Sequence, residues 1–406
     1  MILRKWQGLI LKHPLIYILE LFLASRLTLV LVGWVANLRV PGGHPPQPFG
    51  LTDAPLIWDM WIRWDSQWFL EIARLGGYWT RQGLPLPQAF FPLYPLLMRF
   101  LSPLFGGRTY LAGLAISNLA LLAGCVILHQ LLAQRWGSRI AARAVAYVIL
   151  FPTGFFLSAL YTEGLFFFAA VAAFYAAARR RWFLAGLMAT AAALTRNLGV
   201  FLAPALALEY LSQRGFRWRQ VSRDILWLGL VPLGLGLYMY YLYATVGDPL
   251  AFLHAEQRWG RHLAYPWQSL ALAASYVLQP APPQPAFPQG VFVSAWRHAY
   301  RRLYSALDLT ASLTFLALAF YAWRRKVPPG QILFLLAGVV IPLSAPALRS
   351  MTPIPSMTRY VAVLFPGFTS LAFLGENPTA DRALWVAFPM LQGLFFLLFT
   401  TWNWIA

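Results

Sequence analysis

Residues 58–78 concentrate the groups in this sequence best suited to chemistry. They read Trp58-Asp59-Met60-Trp61-Ile62-Arg63-Trp64-Asp65, continue through Phe69-Leu70-Glu71-Ile72-Ala73, and end at Gly76-Gly77-Tyr78. Trp58, Trp61, Trp64/Trp68 and Leu75 recur at helical spacing. That spacing suits a helix lying in a membrane interface with its indoles at headgroup level, and the glycine pair stops it. In the plain reading the acids of such an anchor merely face water. In the sharper one Asp65 points into a cavity as a catalytic carboxylate, because an acid held at a membrane interface is costly unless used or paired. Further on, Phe90-Phe91-Pro92-Leu93-Tyr94-Pro95 breaks an apolar run with two prolines, on its own a kinked helix entrance.

These residues need a scaffold, and composition indicates which. The chain has 406 residues, 59% hydrophobic and only 11% charged, which excludes a soluble globular protein and points to an integral membrane one. Its formal charge of +19 resides in short basic clusters between apolar spans, a topological pattern rather than a nucleic-acid surface, so no nucleic-acid partner is expected. The single cysteine, Cys125, excludes an internal disulfide framework and a Cys-rich metal site. No Gly-rich segment ending in Gly-Lys is present, which argues against an ATP-driven pump.

Apolar spans at 15–35, 109–133, 143–160, 162–178, 182–195, 198–211, 225–246, 303–323, 330–346, 359–375 and 383–404 predict an all-α polytopic bundle of about eleven transmembrane helices, one domain over 1–406. Glu20 and Arg26 within the first span favour a retained helix over a signal peptide. The positive-inside rule places Arg135/Arg139/Arg143, Arg179 to Arg181, Arg214/Arg217/Arg219/Arg223 and Arg324/Arg325/Lys326 in the cytoplasm, with the N-terminus. Basic clusters flank 182–211 on both sides, so it reads as a hairpin of two short helices turning at Arg196-Asn197. Two polar, Pro-rich segments, 38–108 and 247–300, then fall outside the cytoplasm, the first carrying interfacial helices. With Glu163 they gather Asp53, Asp59, Asp65, Glu71, Asp248 and Glu256 on that face, seven of the thirteen acids. Pro280 to Pro288 reads as an extended surface loop.

The string WDSQWFLEIARLGGY followed by FFPLYPLL resembles the first luminal loop of the PIG-V-like GPI mannosyltransferase family. Later segments are similar to the same family's motifs: Phe151-Pro152-Thr153 through Phe156-Leu157-Ser158 to Tyr161-Thr162-Glu163, then Thr195-Arg196-Asn197, then Ser356-Met357-Thr358-Arg359-Tyr360 with Leu364-Phe365-Pro366. Asp248-Pro249-Leu250-Ala251-Phe252-Leu253 with Gln257, Trp259 and Gly260 resembles a segment of prokaryotic relatives. The matches run in order from about residue 26 to 367.

The resemblance implies a C-type glycosyltransferase (GT-C) fold, an acid in the first extracytoplasmic loop, and a polyprenyl-phosphate sugar as donor. A sugar leaving from a lipid phosphate departs with a stable anion, so a single base is sufficient. Asp65 is the candidate base, taking the acceptor hydroxyl proton in an inverting displacement. Arg359 is the first candidate to neutralise the leaving phosphate, with a snorkelling arginine as the plain alternative. Arg196 is the second, or else the structural partner of Glu163. Trp64, Glu71, Tyr161, Glu163, Asn197, Tyr360 and His254 are the candidates for binding or orienting substrate. His254, Glu256 and His262 share one loop, and Asp53, Asp59 and Asp65 recur at intervals of six, but neither set matches a metal-ligand template, so neither a divalent metal nor another cofactor is assigned.

The implied partners are the lipid-linked donor, a glycolipid, glycan or protein acceptor, and membrane lipid. The implied location is a multi-pass protein of the plasma membrane in a prokaryote or the endoplasmic reticulum in a eukaryote. Two other classes compete: a secondary transporter or lipid flippase, in which Glu20, Arg26 and Arg196 would mark a path, and a non-catalytic scaffold of a glycan-assembly complex. The transporter reading lacks a visible internal two-fold of helices.

Overall fold

The computed structural model describes residues 13–39, 53–78, 87–279, 288–347, 350 and 352–405. The Pro-rich stretch at 280–287 and the basic residues Arg4, Lys5 and Lys12 lie outside them. Beyond one isolated bridge between Arg261 and Ala347, the secondary structure of the described residues is helical.

The chain opens with α1 (Pro14–Arg39), then two short helices, α2 (Leu56–Asp59) and α3 (Ser66–Leu75), and α4 (Leu93–Leu101). Next come α5 (Thr109–Trp136), α6 (Ser138–Leu150), α7 (Glu163–Ala178), α8 (Trp182–Ala193) and α9 (Leu202–Ser212). The second half comprises α10 (Leu230–Val246), α11 (Ala251–Arg258), α12 (Pro266–Leu278), α13 (Pro288–Arg324) and α14 (Pro329–Leu343). It ends with α15 (Met357–Tyr360), α16 (Phe365–Leu374) and α17 (Pro378–Thr400). Among the described residues five helices are long and apolar enough to cross a membrane, and a sixth span results if α15 and α16 are taken together. Several further helices of 10–17 residues, α7, α8 and α14 among them, are apolar but shorter. Such a set of apolar helices makes the chain a multi-pass membrane protein.

Helix α7 forms the centre, packed against α5 and α8. Helix α7 is buried on nearly every side, as its alanines Ala169, Ala170, Ala172, Ala173, Ala176 and Ala177 allow. Small residues set the spacing: a Cβ at Gly124 of α5 would stand 2.7 Å from the Phe167 ring of α7, and one at Gly164 would stand 2.6 Å from the Ser117 carbonyl oxygen. The second contact fixes how close the start of α7, and so Glu163, comes to α5.

Three predicted helices, two of them spans, are broken instead of continuous. The helix expected over 143–160 stops at Leu150, because Pro152 lacks an N–H and disfavours helical backbone at Phe151. The chain continues through a 3₁₀ turn at Gly154–Leu157. The span expected over 359–375 bends by 84° at Leu364, just before Phe365-Pro366. The amphipathic helix expected from Trp58 to Leu75 leaves helical geometry after Asp59 and resumes only at Ser66, with Trp64 in the left-handed region at φ 55°. Trp61 and Trp68 are consequently buried in the protein, while Trp58 and Leu75 stay exposed. All three breaks converge on one region.

Candidate active site

The break between α2 and α3 presents Asp65. Arg63 fixes this loop from within. Its guanidinium pairs with Asp59 at 2.9 Å, donates to the Thr400 carbonyl at 2.9 Å, and lies 4.9 Å from the Trp402 ring centre. The Tyr161 hydroxyl donates to the Arg63 carbonyl at 2.9 Å, and the Leu160 N–H to the Trp61 carbonyl at 3.1 Å. Asp65 stands at the N-cap of α3 but makes no capping hydrogen bond, although aspartate is a favoured capping residue. Its carboxylate instead meets Arg359, Oδ2 to Nη1, at 2.8 Å, across 294 residues of sequence.

Arg359 arrives on the bent segment. Ser356 precedes it at φ 71°, so the arginine and Asp65 each follow a short stretch containing a non-glycine residue in left-handed backbone. Buried Asp308 of α13 holds this segment in place. One carboxylate oxygen accepts from the Thr352 hydroxyl at 3.1 Å and the other from the Thr358 N–H at 3.3 Å. The Thr153 hydroxyl adds a bond to the Thr358 carbonyl at 2.7 Å. Arg359 itself sits among four rings, with Tyr161, Phe156, Tyr360 and Trp404 at 5.4–5.8 Å from its guanidinium carbon.

Glu163, at the start of α7, is fully buried and lies 3.4 Å from Arg359 Nε. It also pairs closely with Arg196 Nη1, which donates to the Thr162 hydroxyl at 3.2 Å. The charges therefore alternate, Asp65 to Arg359 to Glu163 to Arg196, and each has an opposite neighbour. Such alternation is what offsets the cost of taking four charges out of water. Asp65 is the most accessible of the four side chains, at 17%.

Tyr360 joins a third arginine to this group. The guanidinium carbons of Arg196 and Arg261 lie 5.5 and 5.9 Å from its ring centre, and Arg261 Nη2 donates to its hydroxyl at 2.8 Å. Arg261 follows α11, pairs with Glu256 at 2.9 Å and donates to the Ala345 carbonyl at 3.1 Å. Burial works against its charge, but Tyr360 and Glu256 outweigh this and hold the guanidinium above the ordinary arginine range.

The structure thus brings together Asp65, Arg359, Glu163, Arg196, Tyr161 and Tyr360. Trp64 adjoins them through Trp404, 5.1 Å away ring to ring. Three candidates stand apart. Glu71 is exposed on α3. Asn197 spends its side-chain oxygen on the Leu198 N–H at 2.8 Å, closing the turn into the following 3₁₀ segment. His254 is exposed and pairs with Asp248 at 2.6 Å, a bond that holds the Asp248 carboxyl below the usual range. Among the described residues no group of three or more His, Cys, Asp or Glu side chains is arranged to hold a metal ion.

Asp308 and Arg261 were not among the sequence candidates. The signal for Asp308 was available, a lone acid inside an apolar span. Arg261 sits in a polar loop beside Arg258 and His262, and nothing in the sequence separates it from them.

The sequence profile described as Mannosyltransferase (PIG-V) matches residues 51–217, which include Asp65, Glu163 and Arg196. A GPI alpha-1,6-mannosyltransferase 2 from Rattus norvegicus is 30% identical over 260 residues, 58% of this chain and 49% of that protein. The match thus spans about half the length of this curated relative. Among solved structures, the archaeal oligosaccharyltransferase AglB from Archaeoglobus fulgidus, in complex with an inhibitory peptide and a dolichol-phosphate, aligns over 95% of this chain and 55% of its own, at 14% identity and a TM-score of 0.43. ArnT from Cupriavidus metallidurans, bound to undecaprenyl phosphate, aligns over 90% and 79%, at 13% identity and a TM-score of 0.33.

Proposed function

We propose that this chain, which resembles the PIG-V mannosyltransferases through its residues 51–217, is an inverting membrane glycosyltransferase that moves a sugar, mannose by that resemblance, from a polyprenyl-phosphate donor to an acceptor hydroxyl. The observation that carries the reading is the contact between Asp65 and Arg359, a carboxylate and a guanidinium delivered by two separate breaks in helical structure to one partly accessible point.

Asp65 is the base. The acceptor oxygen attacks the anomeric carbon as its proton passes to the Asp65 carboxylate. The bond from that carbon to the phosphate oxygen breaks, and its electron pair leaves with the lipid phosphate. Arg359 neutralises the charge that develops on the leaving oxygen, and Arg196 supplies a second guanidinium beside it. Glu163 keeps the two arginines apart and oriented while the site is empty. Tyr161 braces the Asp65 loop, and Tyr360 and Trp64 form walls against which a sugar ring can lie. The reaction takes place on the extracytoplasmic side, with the N-terminus cytoplasmic, at the plasma membrane of a prokaryote or the endoplasmic reticulum of a eukaryote. The acceptor is a glycolipid, a glycan or a protein hydroxyl.

The test is incubation of the purified chain in lipid vesicles with radiolabelled polyprenyl-phosphate mannose and a panel of these acceptors. Label appearing in acceptor supports the reading. Incorporation from a nucleotide sugar alone would overturn the donor assignment.

A further inference from the structure

Midway along α1 lies a charge that the transfer chemistry does not use. Arg26 stands about 18 Å from the start of that helix at 1.5 Å per residue, within a span long and apolar enough to cross a membrane, and is 8% exposed. None of the ion pairs among the described residues includes it. A guanidinium at that depth is costly to place, and no carboxylate offsets the cost. Its partners are neutral instead. Nη2 donates to the Ile149 carbonyl at 3.1 Å, Nη1 to the Ser158 hydroxyl at 2.7 Å and Nε to the Ser25 hydroxyl at 3.2 Å.

Ile149 and Ser158 lie on the two sides of the break at Pro152. Helix α6 ends at Leu150, and its last carbonyls lose the N–H donors that a continuing helix would supply. Inside a membrane no bulk water replaces them. Arg26 from α1 and Gln392 from α17 do: Gln392 Nε2 reaches the Ile149 carbonyl at 2.9 Å and the Phe151 carbonyl at 2.8 Å. The positive charge of Arg26 also matches the negative end of the α6 dipole. Beyond the break the chain folds back onto the helix end, so closely that a Cβ at Gly154 would stand 2.9 Å from the Val148 carbonyl oxygen. Ser158 follows, held by Arg26 through its hydroxyl and by Asn118 of α5, whose amide donates to its carbonyl at 3.1 Å. A short step along the chain come Tyr161, whose hydroxyl braces the loop of Asp65, and then Glu163.

We propose that Arg26 is a positioning residue: its guanidinium bridges the end of α6 and Ser158, and so fixes the unwound segment 151–162 that aims Tyr161, Glu163 and, through Tyr161, Asp65. The effect on rate rests on the transfer reaction given above; the effect on structure does not. Arginine suits the task because its planar fork donates in two directions at once, whereas a lysine ammonium is a single point charge. Methionine in its place would leave the Ile149 carbonyl its Gln392 donor and remove an unpaired buried charge. A residue with no task beyond folding would therefore tolerate that change.

The test compares Arg26→Met, Arg26→Lys and Ser158→Ala with the unaltered full chain in lipid vesicles. Hydrogen exchange read by mass spectrometry should rise about tenfold at 151–162 in Arg26→Met and Ser158→Ala, the worth of one charge-assisted hydrogen bond, and stay unchanged in the middle of α7. In both variants kcat for sugar transfer per folded molecule should fall about 10- to 100-fold, as a misaimed catalytic group requires. The KM for the donor should change less than about threefold, since neither side chain lies among the groups that meet the donor. Arg26→Lys should recover part of the rate, and Arg26→Met combined with Ser158→Ala should cost no more than Arg26→Met alone. Ser158→Ala removes one hydroxyl and keeps the test open if the Arg26 variants do not fold. Unchanged exchange at 151–162, or an unchanged kcat in a chain that transfers sugar, would overturn the proposal. If the unaltered chain transfers no sugar, the reaction assigned above fails, and the exchange at 151–162 still decides whether Arg26 holds the segment.

Discussion

Glu163→Gln changes one atom at the centre of the charge network and should be among the most destabilising isosteric changes in the chain. The wild-type carboxylate is fully buried, in close contact with Arg196 and 3.4 Å from Arg359 Nε. At an effective dielectric constant of about 20, the 3.4 Å pair alone is worth roughly 5 kcal/mol of direct attraction. Removing the charge leaves Arg359 with Asp65 alone and takes from Arg196 its acid partner, and the net loss on stranding a buried partner is about 3–5 kcal/mol. Unfolding in mixed micelles, followed by circular dichroism, should show a loss of that size. The double variant Glu163→Gln/Arg196→Gln restores the charge balance and should recover about 1–3 kcal/mol relative to the sum of the single changes. A Glu163→Gln protein within about 1 kcal/mol of wild type, with no coupling to Arg196, would refute the alternating-charge reading, since the gap lies well outside the spread for surface changes.

Asp308→Ala should release the segment that carries Arg359, leaving the Thr358 N–H without its acceptor, at a cost of about 1–3 kcal/mol. Sugar transfer should fall further than stability does, with Asp308→Asn recovering part of it; single-turnover rates set against melting curves check this. Gly164→Ala would force a methyl group toward the Ser117 and Leu157 carbonyl oxygens and shift Glu163, so it should lower the melting temperature by several degrees and reduce transfer, both measurable on one preparation. His254→Ala, at an exposed residue whose ion pair lies with Asp248, should leave transfer within about twofold, as surface changes away from a site do.

The membrane class and the two short helices on either side of Arg196-Asn197 were legible because apolar runs report them directly. The breaks were not. Residues 143–160 and 359–375 are apolar enough to read as straight spans, and only the tertiary structure reveals the break at Pro152 that leads to Glu163 and the 84° bend at Leu364 that separates the short helix carrying Arg359 from α16. The tryptophans of 58–68 have the spacing of an amphipathic helix, yet the contacts of Arg63 with Asp59, Thr400 and Trp402 stabilise a non-helical loop there instead. Packing overrode local periodicity where the chain presents Asp65, the most accessible side chain of the charge network at 17%. Asp65 and Arg359 were nominated by residue type and family resemblance, but nothing in the sequence gave their 2.8 Å contact. It arises from the Asp308 and Thr153 tethers on one side and the Arg63 anchor on the other. His254 and Asn197 show the converse: each lies in a suggestive motif, and each spends its side chain on a local partner.

The measurement closest to the central claim is sugar transfer by Asp65→Asn in lipid vesicles, compared with the unaltered chain at equal folded protein. Asparagine keeps the size of the side chain and an oxygen that can accept from Arg359, but it cannot take up the acceptor proton. The account predicts a fall of about 10²–10⁴-fold in the rate of transfer per folded molecule, beyond whatever stability is lost with the weakened Arg359 pair. Transfer at close to the original rate from a folded Asp65→Asn protein would contradict it.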